Sequence, residues 1–527
     1  MNADRFDLVV IGSGGAGLVA ACRGADAGLQ VMVVEAQDTL GGTTSWSGGQ
    51  MWVPDSPPMR RAGFDDDAQA AREYLDRVTL GRTPGPLLDA FVAQAPKMID
   101  YLESDLSIPM ASIERHDYHP DWAGARFGRT VEPHPVPAAE LGEWAERTNS
   151  SPTRRPTTSW EARTGIDPQV LQEREFEDVR TQGSALAAGL VRAALARAVE
   201  FRTGLRITSV LSTADGFSLF DDTGNAVADA TNIVLAAGGF AHNQQWRRRL
   251  LPLVKMNPTG PPGGNGDGID IGIRLGGQLR DMAEAWWTPS AATPTSKVPY
   301  RNIVRELAFP GSIIVNGAGR RFVDEASSYN DSAKAMMEFD ARNHQFPNAA
   351  AWLVFDSAFR QCRTVAGVSP TMPTPFWMIE ADSIKSLAQR AGIDAHTLAE
   401  TVAATNRYAQ TGTDPEFGRG NNAHDRFNGD ENHAPNPCLG PIDQGPYYAV
   451  QVDVGVNGTK GGLVVDEYSR LLDGHDEPIS GVFAVGETAA ALMGPGYAGS
   501  GASLGPALMA GYVVGAAISR PLSELNH

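Results

Sequence analysis

Residues 6–11 are an apolar run that stops at a glycine turn, and residues 18–27 continue with the alanine-rich spacing of a helix. A second apolar run over 30–34 completes a strand–turn–helix–strand opening. Further along, apolar spacing predicts two helices within 65–105, an amphipathic helix over 181–201, strands over 205–211 and 232–236, and two helices within 382–410. The stretches 311–325 and 463–472 read as hairpins, and 481–485 as a buried strand. Between 112 and 160 the chain is rich in proline and arginine without periodicity, which predicts an ordered loop over a site. The last apolar run, 507–518, must be a helix whose first turn contains Pro506, because proline lacks an amide and is tolerated only there.

These pieces divide the chain. Strands scattered through 1–285 and 448–527 complete one nucleotide-binding sheet, whereas 286–447 turns to prolines, tryptophans and short strands. The expected fold is α/β: a Rossmann-like domain with an α+β domain inserted at 286–447 and the substrate beneath the insertion.

The glycine turn carries the first chemistry. In GSGGAG at 12–17, Gly12 permits a tight turn, Gly14 lets the backbone approach a pyrophosphate, and Gly17 allows close helix packing. Ser13 and Ala16 complete the loop, and Glu35, followed by Ala36, ends the second strand, where a carboxylate accepts ribose hydroxyls. The dinucleotide is NAD or FAD, and the small, hydroxylated residues Gly42, Thr43, Thr44, Ser47, Gly48 and Gly49 favour FAD because they can line a ribityl chain and ring. Further contacts are expected from Ile207, from Ala237 and Gly238 after the strand 232–236, and from Gly486 and Glu487 after the strand 481–485. The glycines at 261–268 are read as serving packing and turning. In GPGYAGSGASLGP at 494–506, helix-start amides from Gly501 to Gly505 point outward, and those of Ser503 and Leu504 can receive negative charge. Tyr497 and the Gly501 amide could reach one carbonyl oxygen, as an oxyanion hole requires. The same stretch also reads as an ordinary turn before a core helix.

Charge and cysteines narrow the class. A net charge of -18 over 527 residues disfavours nucleic acid, and three distant cysteines suggest neither a disulfide framework nor a metal site. His116 and His119 lack a third ligand at usable spacing, so no metal is expected. No signal peptide is read before the first strand, and the final apolar run is shorter than the ~20 residues a span needs. A cytoplasmic protein without an integral membrane segment is expected, with loose peripheral membrane contact still allowed.

Assembled, these motifs resemble the fumarate reductase and 3-ketosteroid dehydrogenase superfamily of flavoproteins across essentially the full length, at 12–17, 41–49, 236–239, 319–325, 458–462 and 481–487. Fumarate-type members carry an arginine where Tyr329 stands, and a histidine and arginine where Asn457 to Gly462 and Tyr497 stand. At these points the chain looks like a 3-ketosteroid 1-dehydrogenase, with Ala123-Gly124-Ala125 departing from the usual Pro-Gly-Gly. The resemblance implies non-covalent FAD, an external electron acceptor and an active site of Tyr118, Tyr329, Tyr497 and Gly501. Tyr329 would take the proton beside the ketone with Tyr118 lowering its pKa, Tyr497 and Gly501 would hold the enolate oxygen, and hydride would pass to flavin N5. The implied reaction is 1,2-dehydrogenation of a 3-ketosteroid. Alternatives are the same desaturation of a smaller cyclohexanone-type ketone, and a fumarate-type enoate reduction. Oligomeric state is not legible.

Overall fold

The computed structural model describes residues 4–294 and 296–519. Strand Arg5–Ile11 lies parallel to Val31–Val34 on one side and to Ala226–Leu235 on the other. Glu200–Arg202 extends the sheet beyond Val31–Val34, and Pro478–Ala484 extends it beyond Ala226–Leu235, again in parallel. Leu8, Val9 and Val10 have no exposed surface, as expected for a parallel strand covered on both faces. The central strands end together at Ile11, Val34, Leu235 and Ala484, so their following turns open on one crevice, the usual ligand position of such sheets.

Helix Gly15–Asp26 leaves the first strand and packs against the last helix, Leu504–Ser519. The crossing is close: a Cβ on Gly511 would lie 2.3 Å from the Ala16 carbonyl oxygen. Pro506 occupies the third position of the last helix, inside its first turn. The helix expected over 181–201 is shorter, Gln182–Ala196, and is not amphipathic, because it is buried on almost every face between the first helix and the 42–46 segment. The chain then turns into the edge strand Glu200–Arg202.

A second, mostly antiparallel sheet runs Tyr300–Asn302, Ala285–Ala292, Tyr447–Thr459, Ala350–Asp356 and Ser312–Asn316, with Asn257–Pro258 and Ile379–Ala381 also on Tyr447–Thr459. Its strands therefore reach beyond 286–447 on both sides. The stretch 311–325 does not form a hairpin. Only Ser312–Asn316 is a strand, and it pairs with Ala350–Asp356, while Arg321 and Glu325 turn inward as an ion pair of 2.6 Å that reaches Asp414 at 2.8 Å. Burying that charge network takes the place of a second strand.

Candidate active site

The crevice at the strand ends is a cleft of about 1350 Å³, open to solvent. Gly12, Ser13, Gly14, Ala16, Gly17, Glu35 and Ala36 line it, as do Gly42, Thr43, Thr44 and Ser47. Ile207, Ala237, Gly238, Gly486, Glu487, Ser503 and Leu504 complete the wall. Gly48 and Gly49 do not line it; Gly49 instead packs on the backbone of Gln182, where a Cβ would come within 2.3 Å. Gly260, Pro261, Pro262, Gly263 and Gly264 do line it, so the run read as packing glycine also faces the cleft.

The cleft fits a dinucleotide. Gly12 has φ +112, and a Cβ there would lie 2.3 Å from the Ala236 carbonyl oxygen, whereas one on Gly14 would meet nothing within 4 Å. The turn is thus closed on its inner side and open where a pyrophosphate would lie. Glu35 accepts from the Ser13 amide at 3.0 Å, the Ser13 hydroxyl at 2.6 Å and the Gln37 amide at 2.9 Å, which fixes its carboxylate at the end of the second strand, where an adenosine ribose would lie. Glu487 accepts from the amides of Thr459 and Gly239, and burial pushes its carboxyl up to about 8, so it can donate to as well as accept from a polyol.

At the last helix the amides are fewer than expected. Gly505 donates to the Gly501 carbonyl at 2.9 Å and Ala502 to that of Gly499 at 3.1 Å. Among the described residues, the amides of Gly501, Ser503 and Leu504 remain without a partner, which leaves a positive helix end at the cleft.

The three phenols converge. The ring centroid of Tyr497 is 5.3 Å from that of Tyr118 and 5.3 Å from that of Tyr329, and Tyr118 lies 5.9 Å from Tyr329, all edge to face. Tyr497 also packs 5.0 Å from Trp286, and its hydroxyl interacts with the Ser503 side chain on the cleft wall. Local backbone explains the meeting. Ala498 O accepts from the Tyr118 amide at 3.0 Å and the Tyr74 hydroxyl at 2.7 Å, so the Tyr118 loop is tied to the residue after Tyr497. The neighbouring Asp117 accepts from Trp52 at 2.6 Å and from Arg129 at 2.9 Å, and Arg129 also holds Asp66 at 2.6 Å; this buried triad anchors the loop from below. Tyr329 opens the helix Tyr329–Met336. Gly501, with φ +86, presses on the strand before Trp52: a Cβ would lie 2.3 Å from Gln50 C and O, so no side chain fits.

The electrostatics differ from expectation at one point. Tyr118 does not lower the pKa of Tyr329: burial first, then the charges of Tyr118 and Tyr497, push that phenol well above its ordinary value, because neither neighbour supplies positive charge. Burial also raises Tyr497, keeping it a neutral donor.

Lys460 was not legible as a site residue. Its buried ammonium donates to Gly496 O at 2.7 Å, and to Pro495 O and Asn330 Oδ1 at 3.3 Å each, and it lies 4.5 Å over the Trp286 ring. It therefore ties the residue before Tyr497 to the residue after Tyr329. Burial, then repulsion from Lys334, brings its pKa down to about 7. Removing it leaves the Gly496 carbonyl unpaired, while Pro495 O keeps only the Asn330 Nδ2 donor at 3.4 Å, so Lys460→Met is expected to lower kcat about tenfold or more with flavin content retained. An unchanged kcat would show that these contacts do not place the phenols.

A glycine cradle for a dinucleotide, set beside a knot of phenols, defines a dinucleotide-dependent oxidoreductase. The sequence profile of the family described as "FAD binding domain" matches residues 7–504. The chain is 37% identical over 536 residues to a 4-oxocyclohexanecarboxylate 2-dehydrogenase of Sinomonas cyclohexanicum, covering 98% of this chain and 93% of the relative. It is 32% identical to a 3-oxosteroid 1-dehydrogenase of Mycolicibacterium smegmatis, covering 97% of each. The crystal structure of 3-ketosteroid delta1-dehydrogenase from Sterolibacterium denitrificans in complex with 1,4-androstadiene-3,17-dione superposes with a TM-score of 0.91 at 33% identity, over 98% of this chain and 100% of that one. The chain belongs to the ketosteroid dehydrogenase family of FAD-dependent dehydrogenases.

Proposed function

We propose that this enzyme desaturates the carbon–carbon bond beside a ring ketone, with Tyr329 as base and Tyr497 with the Gly501 amide as donors to the ketone oxygen. The convergence of the three rings within 5.3–5.9 Å of one another, beside the Ser503 wall of the cleft, carries this reading. Bound FAD supplies the two-electron acceptor for the hydrogen that leaves as hydride. Gly12 to Gly17, Glu35, Thr44 and Glu487 would hold it, with the free amides of Ser503 and Leu504 facing its negative end.

The carbonyl acidifies the hydrogen on the adjacent carbon. As Tyr329 takes that proton, negative charge moves to the carbonyl oxygen, where a neutral phenol and a fixed amide stabilise it without reorganising. Tyr118 packs against both other rings and fixes their spacing. Trp286 and Trp52 keep the surroundings apolar, which strengthens every polar contact inside.

Because Tyr329 has a raised pKa, its base form is a minor fraction at neutral pH and grows about tenfold per pH unit below that pKa. Activity is therefore expected to climb with pH up to at least about pH 9, seen as a rising limb in kcat/KM. A flat profile would remove Tyr329 from the role of base.

Two kinds of ring ketone suit this chemistry. A 3-ketosteroid, desaturated at the 1,2-bond, is supported by the 0.91 superposition on an enzyme bound to such a product. A smaller oxocyclohexane is supported by the 37% identical relative and by the charge beside Tyr118 described below. Anaerobic bleaching of the flavin's visible band by androstenedione, by 4-oxocyclohexanecarboxylate, or by neither tests the reading; no bleaching by any ring ketone would overturn it.

A further inference from the structure

One layer behind the phenols lies Arg115, half-buried. The Arg115 guanidinium carbon sits 5.4 Å from the Tyr118 ring centroid and 5.0 Å from that of Phe427. Among the described residues its side chain makes one hydrogen bond, from Nη2 to Asn428 Oδ1 at 3.2 Å, and its buried Nε has no partner. Arg305, exposed at the start of the helix Arg305–Ala308, feels the charges of Arg115, Arg163 and Arg363 and the opposite charge of Glu306. Among the described residues, neither Arg115 nor Arg305 is paired with a carboxylate. The acids nearby are occupied: Asp430 pairs with Arg363, Glu431 with Arg163 at 3.3 Å, and Glu306 accepts from the Ala366 amide at 3.1 Å. Burial also pushes Glu306 up to about 7, which thins its charge.

His424 sharpens the point. Its ring lies 4.7 Å from that of Tyr118, it is buried, and its Nδ1 has no partner. Around it stand Arg115, His116 and His119, the last paired with Asp331 at 3.2 Å. Burial holds His116 and His424 below their ordinary pKa, so the unpaired positive charge beside Tyr118 is that of Arg115. A buried guanidinium nitrogen without a partner is costly, and an incoming carboxylate relieves that cost with strong, paired hydrogen bonds.

The charge of Arg115 reaches the Tyr497 hydroxyl, the expected seat of the ketone oxygen, with Tyr118 lying against both side chains. In a six-membered ring with the ketone opposite a carboxylate, bond lengths place the two oxygens about 6–7 Å apart. We propose that Arg115, backed by Arg305, binds a carboxylate carried opposite the ketone, so that the substrate class is an anionic oxocyclohexane carboxylate in place of a neutral steroid. This rests on the desaturation reading, and it adds the subsite that chooses among ketones.

The test compares 4-oxocyclohexanecarboxylate with its methyl ester and with androstenedione, in turnover and in anaerobic flavin bleaching. The wild-type holoenzyme is expected to favour the acid over the ester by about 10- to 100-fold in kcat/KM, and Arg115→Gln to erase most of that ratio through KM. Arg115→Lys should recover part of it. Because the acid-to-ester ratio is read on the wild type, it holds even if the variants fail to fold. Equal use of acid and ester, or an Arg115→Gln loss that is the same for both, overturns the proposal and makes Arg115 a residue acting on the phenols alone, with the desaturation reading intact. Bleaching by none of the three overturns both.

Discussion

Tyr329→Phe is expected to cut turnover by about 10³-fold or more while the purified protein keeps its yellow flavin at the wild-type ratio. General-base catalysis contributes roughly 10²–10⁴-fold, and here the base is the single ionisable group of the three that the proposed chemistry needs deprotonated. The substitution removes only an oxygen from a ring already packed edge to face at 5.3 Å on Tyr497, so its volume and contacts survive. That makes the outcome easy to interpret. A variant with near-normal kcat would move the base elsewhere, and Tyr118, 5.9 Å away ring to ring, would be the next to examine.

Tyr497→Phe should lower kcat by about 10²–10³-fold with a much smaller change in KM, measured by steady-state turnover on the best ring ketone. Loss of a donor that strengthens only as charge reaches the carbonyl oxygen appears in kcat, whereas loss of a ground-state contact appears in KM. The Gly501 amide would remain as the second donor, which is why activity should fall and not vanish. A raised KM at unchanged kcat would assign Tyr497 to substrate binding alone. The two substitutions differ in a further respect: only Tyr329→Phe should also abolish the rising pH limb.

Local pattern carried the nucleotide half of the molecule into the sequence. The apolar strand, Gly12 turn and Glu35 sit within one supersecondary unit, and their spacing is imposed by that unit's geometry. The three phenols were legible only through likeness to a family, since 118, 329 and 497 share no period and meet through the Ala498 carbonyl and Lys460. Lys460 itself sat in plain view within a glycine motif, yet its partners at Asn330, Pro495 and Gly496 are contacts that no spacing rule records. The same blindness explains the misread hairpin: Arg321 and Glu325 satisfy an ion-pair network reaching Asp414 and Arg419, not a strand ladder. It also explains the domain limits, because the 13-residue strand Tyr447–Thr459 serves the second sheet while ending at the first domain's cleft.

The close crossing of the first and last helices has a bearing on biosynthesis. When the ribosome has made only the first few hundred residues, the sheet can form only without its Pro478–Ala484 strand, the apolar flank of helix Gly15–Asp26 that packs on Leu504–Ser519 has no cover, and one wall of the cleft does not yet exist. Cofactor capture is therefore expected to wait until the helix Leu504–Ser519 has been made, and a chain stalled before it to carry no flavin.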